Sequence, residues 1–184
     1  MAAQPTDVLN FWRAAGPGRW FEKDDAFDAA IRLKFEPTHH AAARGEYDGW
    51  VESADGALAL LILLDQFPRN LYRGSAHSYA TDGLARRITR EAIALGHDKR
   101  FESDLRNFFY LPFEHAEALA DQDHAIALFE AMKAETGDPG NLKWALIHRD
   151  VIARFGRFPH RNHALGRETT PEEQAFLDEG GFAG

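Results

Sequence analysis

Apolar residues recur along most of this chain at intervals of three and four, the spacing of helices that bury one face. Val8, Phe11 and Trp12 follow Pro5-Thr6-Asp7 and precede Gly16-Pro17-Gly18, which predicts a first short helix. Phe27, Ile31 and Phe35 predict a second, opened by Asp24-Asp25 and closed at Gly45. Pro37 is expected to kink or end that helix, with Ala41–Ala43 resuming it. From Ala57 to Phe67 the chain is apolar on every side, which predicts a central helix buried all round, capped by Ser53 or Asp55 and stopped by Pro68. After a Thr81-Asp82 cap, Leu84, Ile88 and Leu95 mark a helix ending at Gly96, with Arg86, Arg87 and Arg90 outside. Phe108–Phe113 reads as an irregular aromatic turn, because Pro112 and the lack of a partner strand oppose a strand. So bulky a segment should pack into the core and hold His115 inward. Further helices are predicted from Asp121 to Gly137 and from Asp138-Pro139 to about Phe155. Thr169–Glu173 matches a capping box that opens a last short helix.

This pattern gives about seven or eight helices joined by short loops, with no linker and no fixed repeat. The expectation is one all-α domain over residues 1–184, built of antiparallel helix pairs. Composition agrees. The chain has 184 residues, with 30 alanines and 18 leucines but three valines, a bias toward helix over sheet. With no cysteine, thiolate zinc sites, iron–sulfur clusters and a cysteine nucleophile are excluded. A net charge of −8 argues against sequence-independent nucleic-acid binding. The longest wholly apolar run, Ala57–Leu64, is eight residues and too short to span a bilayer. The opening Met1–Pro5 has no signal-peptide core, so a cytoplasmic location is expected.

Two places carry unusual chemistry. Asp65 follows the apolar run on a helix expected to be buried, where a carboxylate needs a cation. Arg69 stands four residues on but across Pro68, so Arg154 or Arg157 is the expected partner. The segment Val151–Arg167 holds Arg154, Arg157, Arg161, Arg167, His160 and His163 and no acid among its 17 residues. A helix C-terminus favours some of those cations. The others form either an anion site or internal pairs with the surplus acids, and Arg167 is expected at the surface. Phe67-Pro68-Arg69-Asn70 and Phe158-Pro159-His160-Arg161-Asn162 share a frame and could present their arginines alike. Glu114-His115-Ala116-Glu117 follows the aromatic turn, and His148 lies mid-helix with Trp144, Val151 and Phe155 around it. Neither group has the spacing of a metal motif, so no metal and no cofactor are expected. His39-His40 is expected on a solvated helix surface.

Four strings bring a resemblance into view. They are Val8-Leu9-Asn10-Phe11-Trp12; Leu64-Asp65-Gln66-Phe67-Pro68-Arg69-Asn70; Tyr110-Leu111-Pro112-Phe113-Glu114-His115-Ala116-Glu117 with Asp121-Gln122; and Arg154 to Asn162 with Leu165-Gly166-Arg167. Nearly end to end, the chain resembles a bacterial family known as domain of unknown function 924. The resemblance implies an all-helical fold similar to the tetratricopeptide-repeat superfold, and no established activity. The family pattern has Met where this chain has Glu114 and Ser where it has Ala116. That departure sets Glu114 aside and favours His115 and Glu117.

Two functions follow from these residues. The first is a binding module whose polar pocket takes a small anion or an acidic peptide. Its lining would come from Asp65, Arg69, His115, Glu117, His148, Arg154, Arg157, His160 and Arg161. The alternative is a small-molecule enzyme using His, Asp and Glu as acid and base in the same pocket. No recognised catalytic spacing selects the second, and neither oligomeric state nor a protein partner can be read from the residues.

Overall fold

The computed structural model describes residues Ala3–Ala183, and every regular element among them is helical. The helices are α1 (Pro5–Ala15), α2 (Pro17–Trp20), α3 (Asp25–Ala43), α4 (Ala54–Leu61), α5 (Phe67–Leu71), α6 (Asp82–Ala94), α7 (Ser103–Arg106), α8 (Leu111–Glu114), α9 (Leu119–Thr136), α10 (Leu142–Phe155) and α11 (Pro171–Asp178). They fall into two compact units. The first comprises the chain up to Arg73 with His77–Pro112, and the second Gly74–Ala76 with the chain from Phe113 onward.

In the first unit α4 is the central helix that its apolar sequence predicts. Ala57 through Leu63 are wholly buried, with α1 and α6 packed on α4. Ser53 caps it by accepting the Gly56 N–H. Only glycine fits at 56, since a Cβ there would stand 2.1 Å from the Trp50 carbonyl oxygen. Phe27, Phe35 and Phe67 gather with Phe11 and Trp12 in an aromatic layer, where Trp20 stacks on Trp12 with ring centroids 5.7 Å apart. Phe108, Phe109, Tyr110, Leu111 and Phe113 are all buried as expected, but the segment is helical rather than irregular, a 3-10 turn at Asn107–Phe109 leading into α8, and His115 is half-buried.

Prolines 37 and 68 do not end their helices. Pro37 lies inside α3, which runs unbroken to Ala43. Ahead of Pro68 the helix widens into a π turn, Ile62–Gln66, and α5 continues beyond it. The π turn sends the Phe67 N–H to the Ile62 carbonyl. Pro68 has no N–H for the carbonyl of Leu64, its α partner, or of Leu63, its π partner. Side chains supply the missing donors. His39 Nδ1 lies 2.8 Å from the Leu63 oxygen, and Thr81 Oγ1 donates to the Leu64 oxygen at 2.5 Å. The Arg69 guanidinium donates to the carbonyl of Asp65. His39 is therefore buried rather than solvated, and burial holds its pKa below the usual value; His40 is exposed as expected.

The same turn corrects the expected partner of Asp65. Because the helix survives Pro68, Arg69 reaches back to Asp65 at 3.5 Å and forward to Asp82 at 3.1 and 3.2 Å. Gln66 Nε2 also donates to Asp65 Oδ2, at 2.5 Å. Arg154 and Arg157 are paired with Glu172 and Glu173. Leu95, expected on the inner face of α6, is 55% exposed.

The second unit is built on the pair α9 and α10. Gly137, in the left-handed region at φ 80°, ends α9 as a helix C-cap. Val151, Ile152 and Phe158 form the core there, with Phe155, Phe176 and Phe182 packed against them. Thr170 and Glu173 make the capping box that starts α11.

Two substitutions test how the helix passes Pro68. Thr81→Val keeps the shape and removes the donor to Leu64, and should cost about 1–3 kcal/mol. Arg69→Ala removes the guanidinium that Asp65 and Asp82 share, and should cost about 3–5 kcal/mol. Urea titration monitored by circular dichroism measures both.

Candidate functional site

His148 is the centre of the polar chemistry in the second unit. It sits on α10 one turn after Trp144, with its Nδ1 2.8 Å from the Trp144 carbonyl oxygen and 3.2 Å from Glu114 Oε1. A carbonyl only accepts, so Nδ1 carries the proton and the neutral ring leaves Nε2 with a free lone pair. Nothing in the described chain bonds to that Nε2. Burial pushes the pKa of His148 down to about 3, and the nearby His115, Arg161 and His160 push the same way. The ring is thus an acceptor at neutral pH, with the Glu114 carboxylate on its Nδ1 side and the Arg161 guanidinium among its neighbours.

Phe182 covers the His148 ring at 4.3 Å between centroids, and Phe158 meets it edge-on at 5.5 Å. His115 lies 6.1 Å from His148, and His160 packs 5.4 Å from Phe182. Arg161 is 6% exposed; it lies 4.4 Å over the Phe158 ring and donates to the His115 carbonyl at 3.0 Å. Gln122 fixes the turn that carries Glu114 and His115 by donating to the carbonyls of Glu114 at 2.6 Å and Ala116 at 2.7 Å. His115, His148, His160 and Arg161 therefore come together, as sequence reading groups them.

The other residues of the expected pocket have different duties. Glu117 accepts both guanidinium nitrogens of Arg167 at 2.8 and 2.9 Å and the Phe158 N–H at 3.0 Å. Burial raises its pKa, but these bonds outweigh burial and hold it below the usual value. Arg167 is consequently a buttress with 32% of its side chain exposed, not a free surface cation. Arg154 pairs with Glu172 at the surface. Arg157 grips Glu173 at 2.6 and 2.8 Å, and that carboxylate also accepts from Asn162 and from the Thr170 N–H. The bonds from Arg157 chiefly hold the Glu173 pKa down to about 2. Three of the arginines in the acid-free segment thus find acids supplied by other segments. Asp65 and Arg69 belong to the first unit, in the cluster with Asp82 described above.

Glu114 is the residue that sequence reasoning missed. Its place beside His115 in the aromatic string put it in view, but no spacing links it to a histidine 34 positions away on another helix. Among the described residues no three His, Asp or Glu side chains converge as a metal site, and no helix is long and apolar enough to cross a membrane.

These shifts make the second unit acid-sensitive. Unfolded, His148 takes up a proton near pH 6.5, whereas folded it does so only near 3, so its contribution is complete above 6.5 and fades as pH falls toward 3. For Glu173 the fade runs from about 4.5 down to about 2. Denaturant titrations between pH 8 and 3 should show stability falling with acid. His148→Phe should flatten the upper part of that slope and Glu173→Gln the lower.

Comparison with known proteins agrees with this architecture. A solved structure titled as a protein of unknown function from Agrobacterium tumefaciens is 54% identical, with a TM-score of 0.89 over 95% of this chain and 97% of that one. No curated protein matches the chain. The family described as bacterial protein of unknown function (DUF924) matches residues 8–181, with the aromatic turn, the Glu114–Glu117 string and the arginine-rich segment inside the match. The chain belongs to that family.

Proposed function

We propose that the second unit binds a small anion that itself carries a hydrogen-bond donor, at the cluster of His115, His148, His160 and Arg161. The carrying observation is the His148 ring, whose Nδ1–H is committed to Trp144 and Glu114 and whose Nε2 is left as an acceptor. The Arg161 guanidinium favours an anion, while the lone pair calls for an O–H or N–H. A phosphate that retains a proton, or a 2-hydroxy carboxylate, meets both demands. Arg154, Arg157 and Glu117 are left out of the site, because their charges are matched by Glu172, Glu173 and Arg167. The pairing of α9 with α10 supports extending the family resemblance to a tetratricopeptide-like helix pair, in which binding rather than chemistry is the usual role.

The enzyme reading has one observation in its favour. A carboxylate 3.2 Å from a histidine nitrogen is the arrangement that orients a general base. A base works best with a pKa near the working pH, and His148 at about 3 lies far below it. Binding is therefore the preferred function.

Phosphate and sulfate separate the hypotheses, since they share shape and charge class but only phosphate keeps a proton near pH 7. Phosphate should raise the melting temperature more than sulfate does at equal ionic strength. At 100 times its dissociation constant the stabilisation is about 2.7 kcal/mol. His148→Phe should abolish the difference. Equal shifts from both anions, or none from either, would refute the proposal.

A further inference from the structure

We propose that the first unit holds a second, independent site, for a zwitterion with an apolar body such as a free α-amino acid. A cavity of about 410 Å3 opens between the end of α1 and the segment Arg100–Leu105, and it is lined by Arg13, Trp20, Arg100, Phe101, Glu102 and Asp104 among others. That volume is in the range of small-molecule sites, about 300–1,000 Å3.

The charges around this cavity are unusual for this chain. Acids outnumber Lys and Arg by 29 to 21, and arginines elsewhere in the unit find them: Arg19 pairs with Asp24, Arg73 with Asp28 and Arg87 with Asp48. Arg13 and Arg100 make no hydrogen bond and no ion pair among the described residues, although Glu102 and Asp104 line the same cavity. Two cations and two carboxylates thus face one space without closing on each other. A ligand with both charges can bridge the gap that the side chains leave. Arg13 also stands in the last turn of α1, where the helix dipole favours a cation without a carboxylate partner.

The same cavity has an apolar, rigid part of its lining. Trp20 is 6% exposed, and its indole N–H donates to the Trp12 carbonyl at 2.7 Å, so its orientation is fixed before any ligand arrives. Its ring is further held by stacking on Trp12 and an edge-on contact with Phe108 at 5.0 Å. A preformed aromatic surface costs little ordering on binding. The chemistry that fits is a carboxylate taken by the planar guanidinium groups, an ammonium set between Glu102 and Asp104, and an apolar side chain laid on Trp20 and Phe101.

The site makes a three-way test possible with L-phenylalanine, 3-phenylpropionate and phenethylamine, which carry both charges, the anion alone and the cation alone. The Trp20 indole N–H signal in a nitrogen–proton correlation spectrum, assigned with Trp20→Phe, reports occupancy. L-Phenylalanine should shift that signal saturably and bind about tenfold or more tightly than either single-charge probe. Arg100→Ala and Glu102→Gln, both at exposed positions, should each weaken it by about that factor, while Arg149→Ala on α10 should not. Equal binding of L-phenylalanine and 3-phenylpropionate would overturn the zwitterion assignment, and no shift with any probe would overturn the site. Because the readout is Trp20, failure here leaves the His148 cluster untouched, and failure there leaves this site untouched.

Discussion

A helix buried on every side must satisfy its carbonyls from within, and Pro68 removes a donor at the end of such a helix. Much of the first unit is arranged around that defect. The π turn at Ile62–Gln66 moves the Phe67 N–H to Ile62, and His39 from α3 and Thr81 from the start of α6 reach the carbonyls of Leu63 and Leu64. Arg69 reaches the Asp65 carbonyl and binds the carboxylates of Asp65 and Asp82. Residues that look unrelated along the chain, namely a histidine taken for surface, a threonine at a helix start and an arginine beyond a proline, are tied to one backbone problem. The buried ion cluster is a consequence of the helix carrying on past Pro68, since only then do Asp65 and Arg69 share a face.

The second unit solves a different problem, the concentration of positive charge in Val151–Arg167. Glu117, Glu172 and Glu173 come from other segments to meet Arg167, Arg154 and Arg157. Glu117 and Glu173 do more than neutralise. One also holds the Phe158 N–H and the other joins the capping box of α11, so each carboxylate ties charge to backbone position. What this leaves around His148 is a neutral ring, oriented by Glu114, beneath Phe182 and beside Arg161.

The two Phe-Pro-Arg-Asn frames perform one task twice. In each, the phenylalanine is fully buried and the arginine donates to a backbone carbonyl, Arg69 to Asp65 and Arg161 to His115. In each, the asparagine donates to a carboxylate already gripped by another arginine: Asn70 to Asp28, which holds Arg73, and Asn162 to Glu173, which holds Arg157. The shared frame is thus a way of anchoring a turn through charge-assisted bonds, with the arginine committed first to a backbone carbonyl.

Helix identity was legible in the chain because it depends on local facts: apolar spacing, the Ser53 and Thr170 caps, and the glycine after α9. The all-round burial of Ala57–Leu64 and the inward packing of the aromatic turn were legible for the same reason, since no exposed surface could accommodate either. Partnership was not legible. Glu114 with His148, Arg157 with Glu173 and His39 with the Leu63 carbonyl join positions separated by many residues, and no periodicity encodes such pairs. Nor could sequence rules decide what Pro68 does, because whether a helix ends at a proline depends on donors arriving from elsewhere in the fold. Composition and spacing by themselves determined that this is a helical chain with a charged, histidine-bearing segment. Which of those charges cancel, and which nitrogen of His148 is left open, only the tertiary structure decided, because both are set by distances between segments that the chain order leaves free.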